Sequence, residues 1–595
     1  MARRLAFDLT FVALHLHAAF CNAFSATTTD VINPRKELIS ASSTAEATTT
    51  KTSPNVLPLH QNWWPVALVN TLNENAPNAE VLLNKDLVLW HDGEEWRCMD
   101  DMCAHRFAPL SEGRVFQPSD DETNKRCISC SYHGWEFDSQ GLCTRIPQSL
   151  NSTKAAQGVR VASYPVQVSA GIVWVWPDEP SSPFANTIQL PISPMLQQWE
   201  LEYPQSAYQR EIPYGYELLA ENVIDMSHLP FSHHQVLSSR DNGVHLPFKM
   251  LSLEEKEKVW EKESNSLYAN ATECEKVIPK YQVEIKKGHA QHADPIFAFN
   301  LMGTNEADEN STSFLGFYPP SHIRYHRTPM SGLSSNTELF ICPQSAGKCR
   351  VIIFNPFEGG MKKLRTEDTT RKSKFVEILS KVGSYVLRKA ILSKYMGVEN
   401  HKIASSVFDG DNIFLAQQGE RLAKNGLSYS DYRVSSSADT LSKIFRMWLD
   451  NAAEATRRTK DKHADLIVEA AVGVSSDGTS PYPAVSQLSR RELLDRYESH
   501  TKNCKICSKA LLKLEKKQRF LKILQPTLFG ATGASFIALV LSTFIDSVSN
   551  LPSKLIMRMF GSSLLLSTMS IFLKTRTEKS IQKFHYQPHS HQTLV

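Results

Sequence analysis

Excess charge, cysteine and glycine-rich nucleotide motifs are all scarce in this 595-residue sequence. The formal net charge is only +3 at pH 7, so the chain has no general basic footprint for nucleic acid. Its 11 cysteines are a sparse, odd-numbered set, and five of them fall between positions 98 and 143. That distribution argues against a disulfide scaffold and favours metal or redox chemistry. No glycine-rich dinucleotide fingerprint follows a predicted strand, so a redox enzyme of this sequence needs a separate reductant.

Two thiol–imidazole pairs lie close together within that cysteine-rich stretch. Cys103 and His105 form a Cys-x-His pair, and Cys130 and His133 form a Cys-x2-His pair. A Rieske [2Fe–2S] cluster needs two thiolates for one iron and two imidazoles for the other. Gly134 allows the backbone to run close to the cluster sulfurs. The pattern therefore predicts a Rieske cluster held by two short loops.

A structural zinc site is the alternative, because Cys2His2 ligation also suits tetrahedral zinc. Cys127 and Cys130 have the spacing of a zinc knuckle. Zinc fingers seldom use Cys-x-His, however, and zinc does not explain the His-Gly-Trp that follows. We therefore interpret Cys127 as a bystander and the polar residues 118–125 as a surface insertion.

A second group of metal-binding side chains lies in the stretch ENVIDMSHLPFSH. His228 and His233 plus one carboxylate would make the facial triad of mononuclear non-haem Fe(II) oxygenases. Asp411 is the expected third ligand, at the head of an apolar helix, with Asp409 as its competitor. The carboxylate of Asp225 is expected to hydrogen-bond a ligand imidazole and to bridge to a cluster histidine. The alternative for both histidines is an ordinary core or surface position.

The neighbours of these histidines have predicted roles as well. Asn222 and Glu221 are expected to line the same iron pocket, with ordinary polar helix positions as the alternative. Pro230 is expected to break the helix and so to turn His233 back toward the same point. His234 is expected to face away or to line the cavity.

Hydrophobic patterning predicts an α+β fold in which a small all-β domain precedes an antiparallel sheet that grips a long helix. Strands are expected at 81–83, 87–90, 96–99, 170–177, 281–285, 313–318, 338–342 and 350–354, and helices at 375–395, 411–424 and 440–455. A charged stretch at 254–275 is expected to be solvated, and 472–487 to be a linker.

The two ends of the chain predict targeting and membrane segments. An apolar run after Arg3 and Arg4 predicts a signal peptide, and a Ser/Thr-rich tract follows, which together resemble the bipartite leader of algae with complex plastids; simple secretion is the alternative. Residues 527–545 carry no charge and are long enough to cross a bilayer. A weaker run at 555–573 and basic outer flanks predict a membrane hairpin, with a buried helical pair as the alternative.

Cys504 and Cys507 form a Cys-x2-Cys pair just before the first apolar run. Lys502, Lys505 and Lys509 could lower a thiol pKa there and make the pair redox-active. Two unrelated cysteines in a basic helix are the alternative.

Together these motifs resemble the Rieske-type non-haem iron oxygenases of the plastid group that contains pheophorbide a oxygenase, the inner-envelope translocon Rieske protein and chlorophyllide a oxygenase. The similarity extends from about 63 to 573 through WWPVALV, KDLVLWHDG, HRFAPLSEGRV, YHGWEF and LDRYESHTKNCKIC. The 24 residues between His105 and Cys130 make an unusually long loop. Gln235 stands where relatives often carry glycine, which puts the substrate identity in doubt.

The resemblance implies a domain order that matches the patterning. The predicted divisions are a signal peptide (1–23), a transit-peptide-like segment (24–58), an all-β Rieske [2Fe–2S] domain (59–180), a helix-grip non-haem iron catalytic domain (181–460), a linker with the Cys-x2-Cys pair (461–523), a two-helix transmembrane hairpin (524–576) and a tail (577–595).

The resemblance also implies the activity and the partners. The cofactors would be a [2Fe–2S] cluster and a mononuclear Fe(II), with electrons from ferredoxin passing between subunits of a homotrimer. The substrate would be a chlorophyll-derived tetrapyrrole, oxidised with O2 in chlorophyll breakdown at the thylakoid or inner-envelope membrane of the plastid. Thioredoxin would act on Cys504 and Cys507. The alternatives are a chlorophyllide a oxygenase-like enzyme, a hydroxylase of a chlorophyll breakdown product, and a non-catalytic redox-sensing subunit of plastid protein import.

Overall fold

The structure of the protein is a computed structural model. It describes residues 56–118, 125–193, 195–197, 199, 206–237, 239–243, 248–250, 297–301, 313–327, 335–356, 395–473, 488–544 and 553–588. The strand at 281–285 and the charged stretch at 254–275 lie outside these residues, as do nearly all of the predicted leader, of the helix at 375–395 and of the linker at 472–487.

The N-terminal part is an all-β domain of three small antiparallel sheets, ordered β1-β11-β10, β2-β3-β4-β9 and β5-β6-β7-β8. Its strands are β1 (Trp64–Leu68), β2 (Asn78–Leu82), β3 (Lys85–His91), β4 (Trp96–Asp100), β5 (Arg114–Phe116), β6 (Cys127–Ser129), β7 (Glu136–Phe137), β8 (Cys143–Arg145), β9 (Ser163–Tyr164), β10 (Val166–Ser169) and β11 (Ile172–Val175). Two short helices accompany them, α1 (Ser152–Ala156) and α2 (Ser182–Ala185). The strands predicted around 81–99 and at 170–177 are confirmed as β2, β3, β4 and β11.

Strand β3 is buried on both faces, and this places the cluster loops. Leu87 and Leu89 belong to the main core, whereas Val88 and Trp90 belong to a separate core that also contains both cluster cysteines. Successive side chains of a strand point to opposite faces, so one strand joins the two cores. The loops that carry the cysteines are therefore anchored on a packed, dry surface.

The second part is built on a seven-stranded antiparallel sheet, ordered β12-β18-β17-β16-β15-β14-β13. Its strands are β12 (Tyr208–Ile212), β13 (Phe248–Met250), β14 (Phe297–Leu301), β15 (Ser313–Tyr318), β16 (His322–Arg327), β17 (Ser335–Ser345) and β18 (Lys348–Phe354). The predicted strands at 313–318, 338–342 and 350–354 fall on β15, β17 and β18, which confirms them. Ile341, Val351 and Ile353 face the helices, whereas Phe340 and Ile352 face the tryptophans of the N-terminal domain.

Helices cover one face of this sheet and carry the functional side chains. They are α3 (Tyr216–Ile224), α4 (Leu229–Ser232), α5 (Asn400–Asn425), α6 (Thr440–Arg458), α7 (Ala464–Val472) and α8 (Arg490–Leu493). The helix predicted at 440–455 is confirmed as α6. The observed α+β arrangement of an antiparallel sheet and a long helix agrees with the predicted fold class.

Helix α5 corrects a prediction about Asp411. The pattern predicted a helix that starts at Asp411, but α5 starts at Asn400, so Asp411 lies in its middle. The first turns were missed because they bury polar and small side chains, such as Ser405 and Asp409, which give no hydrophobic periodicity. Gly426 ends the helix in the left-handed conformation, with φ at 62°.

Two long helices, α9 (Lys505–Phe544) and α10 (Ser553–His585), form a hairpin at the C-terminal end of the described chain. Both are long and apolar enough to cross a membrane, and only 6% and 11% of their apolar windows is buried. Hydroxyl pairs join the two helices, with Thr532 Oγ1 2.8 Å from Ser567 Oγ and Ser535 Oγ 3.0 Å from Ser563 Oγ. Most of the apolar surface of the two helices is exposed in this structure, which disfavours the alternative of a buried helical pair.

A buried arginine ties the two folded parts together. Arg350 on β18 places Nη1 2.6 Å from Glu80 Oε2 on β2 and Nε 2.5 Å from Glu211 Oε1 on β12. Nη1 also donates to the carbonyl of Val66 on β1. Burial raises the pKa of Glu80, and the guanidinium opposes that rise. One cation therefore neutralises carboxylates from both parts of the chain.

We predict that Arg350→Met destabilises the protein by about 3–5 kcal/mol, because two carboxylates then remain without their shared cation. Thermal unfolding in detergent, followed by circular dichroism, measures the change. Arg458→Met is the matched control, since Arg458 makes an exposed pair with Glu454 and should cost under about 1 kcal/mol. Equal effects of the two substitutions would contradict the structural role of Arg350.

Candidate metal centres

Two loops with the same closure present the cluster residues. The amide of Phe107 donates to the carbonyl of Cys103, and the amide of Gly134 donates to the carbonyl of Cys130, both at 2.9 Å. Each hydrogen bond closes a turn around the histidine that follows its cysteine. Gly134 has φ at +73°, a conformation that glycine adopts without strain.

The four side chains of these loops form a cysteine side and a histidine side. Cys103 and Cys130 are buried together, and burial together with the neighbouring Cys130 raises the pKa of Cys103 to about 11. The rings of His105 and His133 lie 4.5 Å apart, and His105 stacks on Trp135. His105 Nδ1 is buried without a hydrogen-bond partner. Buried thiols and an unpartnered imidazole nitrogen fit a bound iron–sulfur cluster, whose cations stabilise thiolates.

The spread of these atoms favours a dinuclear group over zinc. In the described chain, three groups of side chains place their ligand atoms within 4.8 Å of one another, and none of the three contains a cluster residue. A single tetrahedral ion needs that convergence, whereas a cluster separates its cysteines from its histidines. Cys127 lies within β6 opposite Phe116, so it belongs to the strand and not to the loop.

The histidine stretch is built from three short pieces. Helix α3 ends at Ile224, Asp225 caps a 3-10 turn at Met226–His228, and α4 follows at Leu229–Ser232. Pro230 occupies the first turn of α4, where a missing N–H does no harm. The expectation that Pro230 breaks a helix was therefore wrong: the break comes five residues earlier, at Asp225.

This stretch and helix α5 bring His228, His233 and Asp411 together. His233 Nε2 lies 3.2 Å from Asp411 Oδ2, and His228 Nε2 lies 3.9 Å from Asp411 Oδ1. One ligand atom from each residue lies within 4.8 Å of the others. Ser232 Oγ donates to Asp411 Oδ1 at 3.3 Å. The arrangement is two imidazoles and one carboxylate facing a common point.

Electrostatics prepare these groups for a cation. Burial opposes ionisation of Asp411, but His233 and then His228 outweigh it and lower the pKa of the carboxyl group. Burial lowers the pKa of His228. A neutral His228 imidazole and an ionised Asp411 carboxylate suit a bound metal. His233 Nδ1 is buried without a hydrogen-bond partner.

Gly410 allows α5 to approach the histidines closely. A Cβ atom at this position would lie 3.1 Å from the carbonyl oxygen of Ser232 and 3.2 Å from His233 Nδ1. These separations are tighter than ordinary van der Waals contact. The absence of a side chain at Gly410 therefore sets how near Asp411 comes to the two rings.

Asp409 makes a different set of contacts. Its Oδ1 lies 2.8 Å from Arg210 Nη1, and its Oδ2 lies 2.8 Å from two nitrogens of Arg496. Residues two apart on a helix are separated by about 200° around its axis. Asp409 and Asp411 therefore point in nearly opposite directions and do not face the same histidines. The competitor from the sequence is engaged in buried ion pairs.

Asp225 contacts a ligand candidate differently from the prediction. Its main-chain carbonyl accepts from Nδ1 of His228, whereas its carboxylate accepts from the amide of Ser227 at 2.8 Å. The expected carboxylate–imidazole bond within one chain is therefore wrong, because α3 ends before Asp225 and turns the side chain outward. The bridge to a cluster histidine stays a prediction.

The remaining residues of this stretch have structural contacts. The carbonyl of Asn222 accepts from the amide of Asp225 at 3.1 Å. Glu221 makes a 2.5 Å ion pair with Arg446, which favours an ordinary helix position over a pocket lining. His234 Nδ1 accepts from the amide of Arg240 at 3.1 Å, so it takes no part in the triad.

Cys504 and Cys507 face two histidines that the sequence did not connect with them. His401 Nδ1 and His500 Nε2 lie within hydrogen-bond range of these sulfurs. The hydrogen bond from Cys507, followed by those of the imidazoles, lowers the pKa of Cys504. His500 was visible four residues before Cys504. His401 lies 103 residues away, and no local signal points to it.

Two of the three lysines that were expected to activate this pair have other partners. Lys502 Nζ pairs with Glu498 at 2.6 Å, and Lys505 Nζ donates to the carbonyl of Leu72 at 3.3 Å. The prediction is therefore wrong for Lys502 and Lys505, since Cys507 and then the two imidazoles lower the pKa of Cys504.

We predict that Cys103→Ser removes the Rieske absorption and EPR signals, because serine cannot replace a thiolate in the cluster. Cys127→Ser is the matched control and should keep both signals, since Cys127 lies in β6. Spectra of the purified, dithionite-reduced proteins make the comparison. Loss of the cluster in both variants would contradict the separation of Cys127 from the ligands.

Known proteins resemble this chain in sequence and in fold. The family model of the Rieske [2Fe-2S] domain matches residues 62–165. Pheophorbide a oxygenase of Oryza sativa subsp. japonica is 31% identical over 475 residues, covering 76% of this chain and 72% of the relative. Protein TIC 55 of Arabidopsis thaliana is 25% identical over 76% of this chain and 73% of its own.

A solved structure of NdmA (QL mutant with theobromine) from Pseudomonas putida CBB5 aligns with a TM-score of 0.43 and 19% identity. The alignment covers 70% of this chain and 95% of that one. The curated relatives are chloroplastic proteins. Membership of their family implies a small-molecule substrate, O2 and an electron donor. The chain belongs to the Rieske-type non-haem iron oxygenases, in the plastid group of pheophorbide a oxygenase, and is an oxidoreductase with a [2Fe–2S] cluster.

Proposed function

We propose that this protein is a membrane-anchored oxygenase of a chlorophyll-derived tetrapyrrole, similar in reaction to pheophorbide a oxygenase. The observation that carries the proposal is the convergence of His228, His233 and Asp411 in a chain with a Rieske domain. A redox-sensing subunit would not need this second centre, so the alternative without catalysis is disfavoured.

His228, His233 and Asp411 would hold a mononuclear Fe(II). When bound there, such an iron supplies sites for O2 beside the substrate, because two imidazoles and one carboxylate leave coordination positions open. The buried carboxylate also offsets part of the charge of the ion, and burial keeps competing water away.

The chain orients these ligands through neighbouring groups. The carbonyl of Asp225 accepts the Nδ1 proton of His228, which leaves Nε2 unprotonated and directed at Asp411. Ser232 holds one oxygen of Asp411. Gly410 keeps the helix close to His233. Asn222 acts one step further away, since its carbonyl holds the amide of Asp225.

Cys103, His105, Cys130 and His133 would hold the [2Fe–2S] cluster, which carries one electron at a time. The cluster loops expose Met102 (45%), Phe107 (70%) and Tyr132 (63%), and α4 exposes Phe231 (54%) between the two iron ligands. Exposed apolar side chains at both centres support docking between protein surfaces. We infer that the cluster loops of one chain meet Asp225 of another in a homotrimer, and that ferredoxin is the donor.

The substrate class follows from the relatives and from the membrane hairpin. Pheophorbide a oxygenase, a relative that matches most of this chain, is named for a chlorophyll derivative, and helices α9 and α10 suit a protein that meets a lipid-soluble pigment. The location would be the thylakoid or inner-envelope membrane of a plastid. Gln235 has a positive φ of 59°, a conformation that glycine adopts without strain.

We predict that His228→Ala and Asp411→Ala abolish oxygenation and remove about one iron per chain, because each leaves the triad incomplete. The Rieske EPR signal should remain. His234→Ala is the matched control and should keep both iron and activity, since His234 Nδ1 accepts from the amide of Arg240 and lies outside the triad. Retained activity in His228→Ala would contradict the iron assignment.

We predict that reduced, iron-loaded protein oxidises pheophorbide a in preference to chlorophyllide a when supplied with ferredoxin and its reductase. Mass spectrometry with isotopically labelled O2 identifies the product and the number of oxygen atoms gained. A preference for chlorophyllide a would support the alternative that oxidises a ring methyl. Absence of any labelled product from a panel that also includes chlorophyll breakdown products would overturn the enzymatic proposal.

A further inference from the structure

We infer that His401, His500, Cys504 and Cys507 form a structural zinc site that fastens the membrane hairpin to the catalytic domain. This site lies apart from both iron centres and goes beyond the oxygenase function. Its four side chains come from α5, from the turn at Tyr497–Thr501 and from the start of α9. A Cys2His2 set of this kind suits tetrahedral Zn²⁺.

The distances match a tetrahedron. His401 Nδ1 lies 3.5 Å from Cys504 Sγ and 3.4 Å from Cys507 Sγ, and His500 Nε2 lies 3.3 Å from Cys507 Sγ. Tetrahedral zinc with Zn–S bonds of about 2.3 Å and Zn–N bonds of about 2.0–2.1 Å places sulfur and nitrogen about 3.5 Å apart. All four ligand atoms lie within 4.8 Å of one another, so one ion can reach every one of them.

Burial makes the site structural. The exposed fractions are 1% for His401, 5% for His500, 8% for Cys504 and 2% for Cys507. Catalytic zinc keeps a position open for water or substrate, whereas four protein ligands close the coordination shell. A set of four buried ligands therefore serves stability and not a reaction.

A main-chain contact orients one of the two histidines as a zinc site requires. His500 Nδ1 lies 2.6 Å from the carbonyl oxygen of Gln209 on β12. Donation to that carbonyl leaves Nε2 unprotonated and facing the sulfurs, which is the usual arrangement of a zinc-bound imidazole. Tyr208, the neighbour of Gln209, packs against the rings of both His401 and His500.

The position of the site explains its purpose. Cys504 and Cys507 stand at the base of α9, which leads into the membrane hairpin, and His401 stands on α5, ten residues before Asp411. Zinc at this point would join the anchor, the sheet and the helix of the iron triad. The ion would then act together with Arg496, which bonds Asp409 and the carbonyl of Lys583, in holding α5 against the hairpin.

Binding of zinc also balances without a redox partner. The two thiols release two protons to solvent, both imidazoles stay neutral, and no electron is transferred. A disulfide between Cys504 and Cys507 would instead require an S–S bond of about 2.0 Å and an oxidant. In this structure both residues are free thiols. Thiolates bound to zinc form no disulfide, so thioredoxin would have no bond to reduce in the zinc-bound protein.

The test is the metal content of the full-length protein, purified in detergent with its Rieske spectrum intact. We expect about one zinc per cluster, and zinc K-edge absorption fitted by two sulfurs at about 2.3 Å and two nitrogens at about 2.0–2.1 Å. Cys507→Ser and His500→Gln should each lose that zinc. The wild-type spectrum decides the question even if either variant fails to fold.

Two controls separate this site from other metal binding. His228→Ala should keep the zinc of the Cys2His2 site. Zinc that had instead occupied the iron triad would be lost in this variant, and its absorption spectrum would show no sulfur ligands. Cys342→Ala should also keep it, since Cys342 is a buried thiol on β17. Wild-type protein without zinc would overturn the inference, as would a Cys504–Cys507 disulfide in protein purified without reductant, whether or not the oxygenase is active.

Discussion

Buried ionisable side chains on helix α5 are the constraint on which the catalytic part of this protein depends. His401, Asp409 and Asp411 all lie inside the protein on one helix, and a buried ionisable group is stable only when it is paired or bound to a metal. Asp409 meets two arginines, Asp411 meets two histidines, and His401 meets two thiols. Each pairing joins α5 to a different part of the fold.

These contacts together fix the position of α5 and therefore the geometry of the candidate iron triad. Arg210 connects α5 to β12, and Arg496 connects it to the segment that leads to the hairpin, where its Nη1 also donates to the carbonyl of Lys583 at 3.1 Å. A shift of α5 would disturb all of these contacts at once. The cluster loops, in contrast, rest on β3 and its packed neighbours. Each of the two candidate centres is thus held by its own scaffold.

Local patterns predicted the features whose partners are near in sequence. Cys103 with His105, and Cys130 with His133, are pairs that a few residues of chain already hold together. Strands β15, β17 and β18 were recognisable as short runs rich in apolar residues, and β18 is buried along nearly its whole length. Local rules failed at Pro230, which starts a helix here, and at the carboxylate of Asp225, because a helix boundary decided both. Sequence periodicity places such boundaries poorly.

The sequence by itself indicated the kind of chemistry: the candidate ligand pairs of the cluster, the two histidines of the candidate triad and two apolar runs of membrane-spanning length. Only the tertiary structure decided between Asp409 and Asp411, because residues two apart on a helix face nearly opposite sides and packing selects which side meets the histidines. Likewise only the fold brought His401 to Cys504 and Cys507 across more than a hundred residues. Direction and long-range proximity are properties of packing, and a linear pattern of residue types does not contain them.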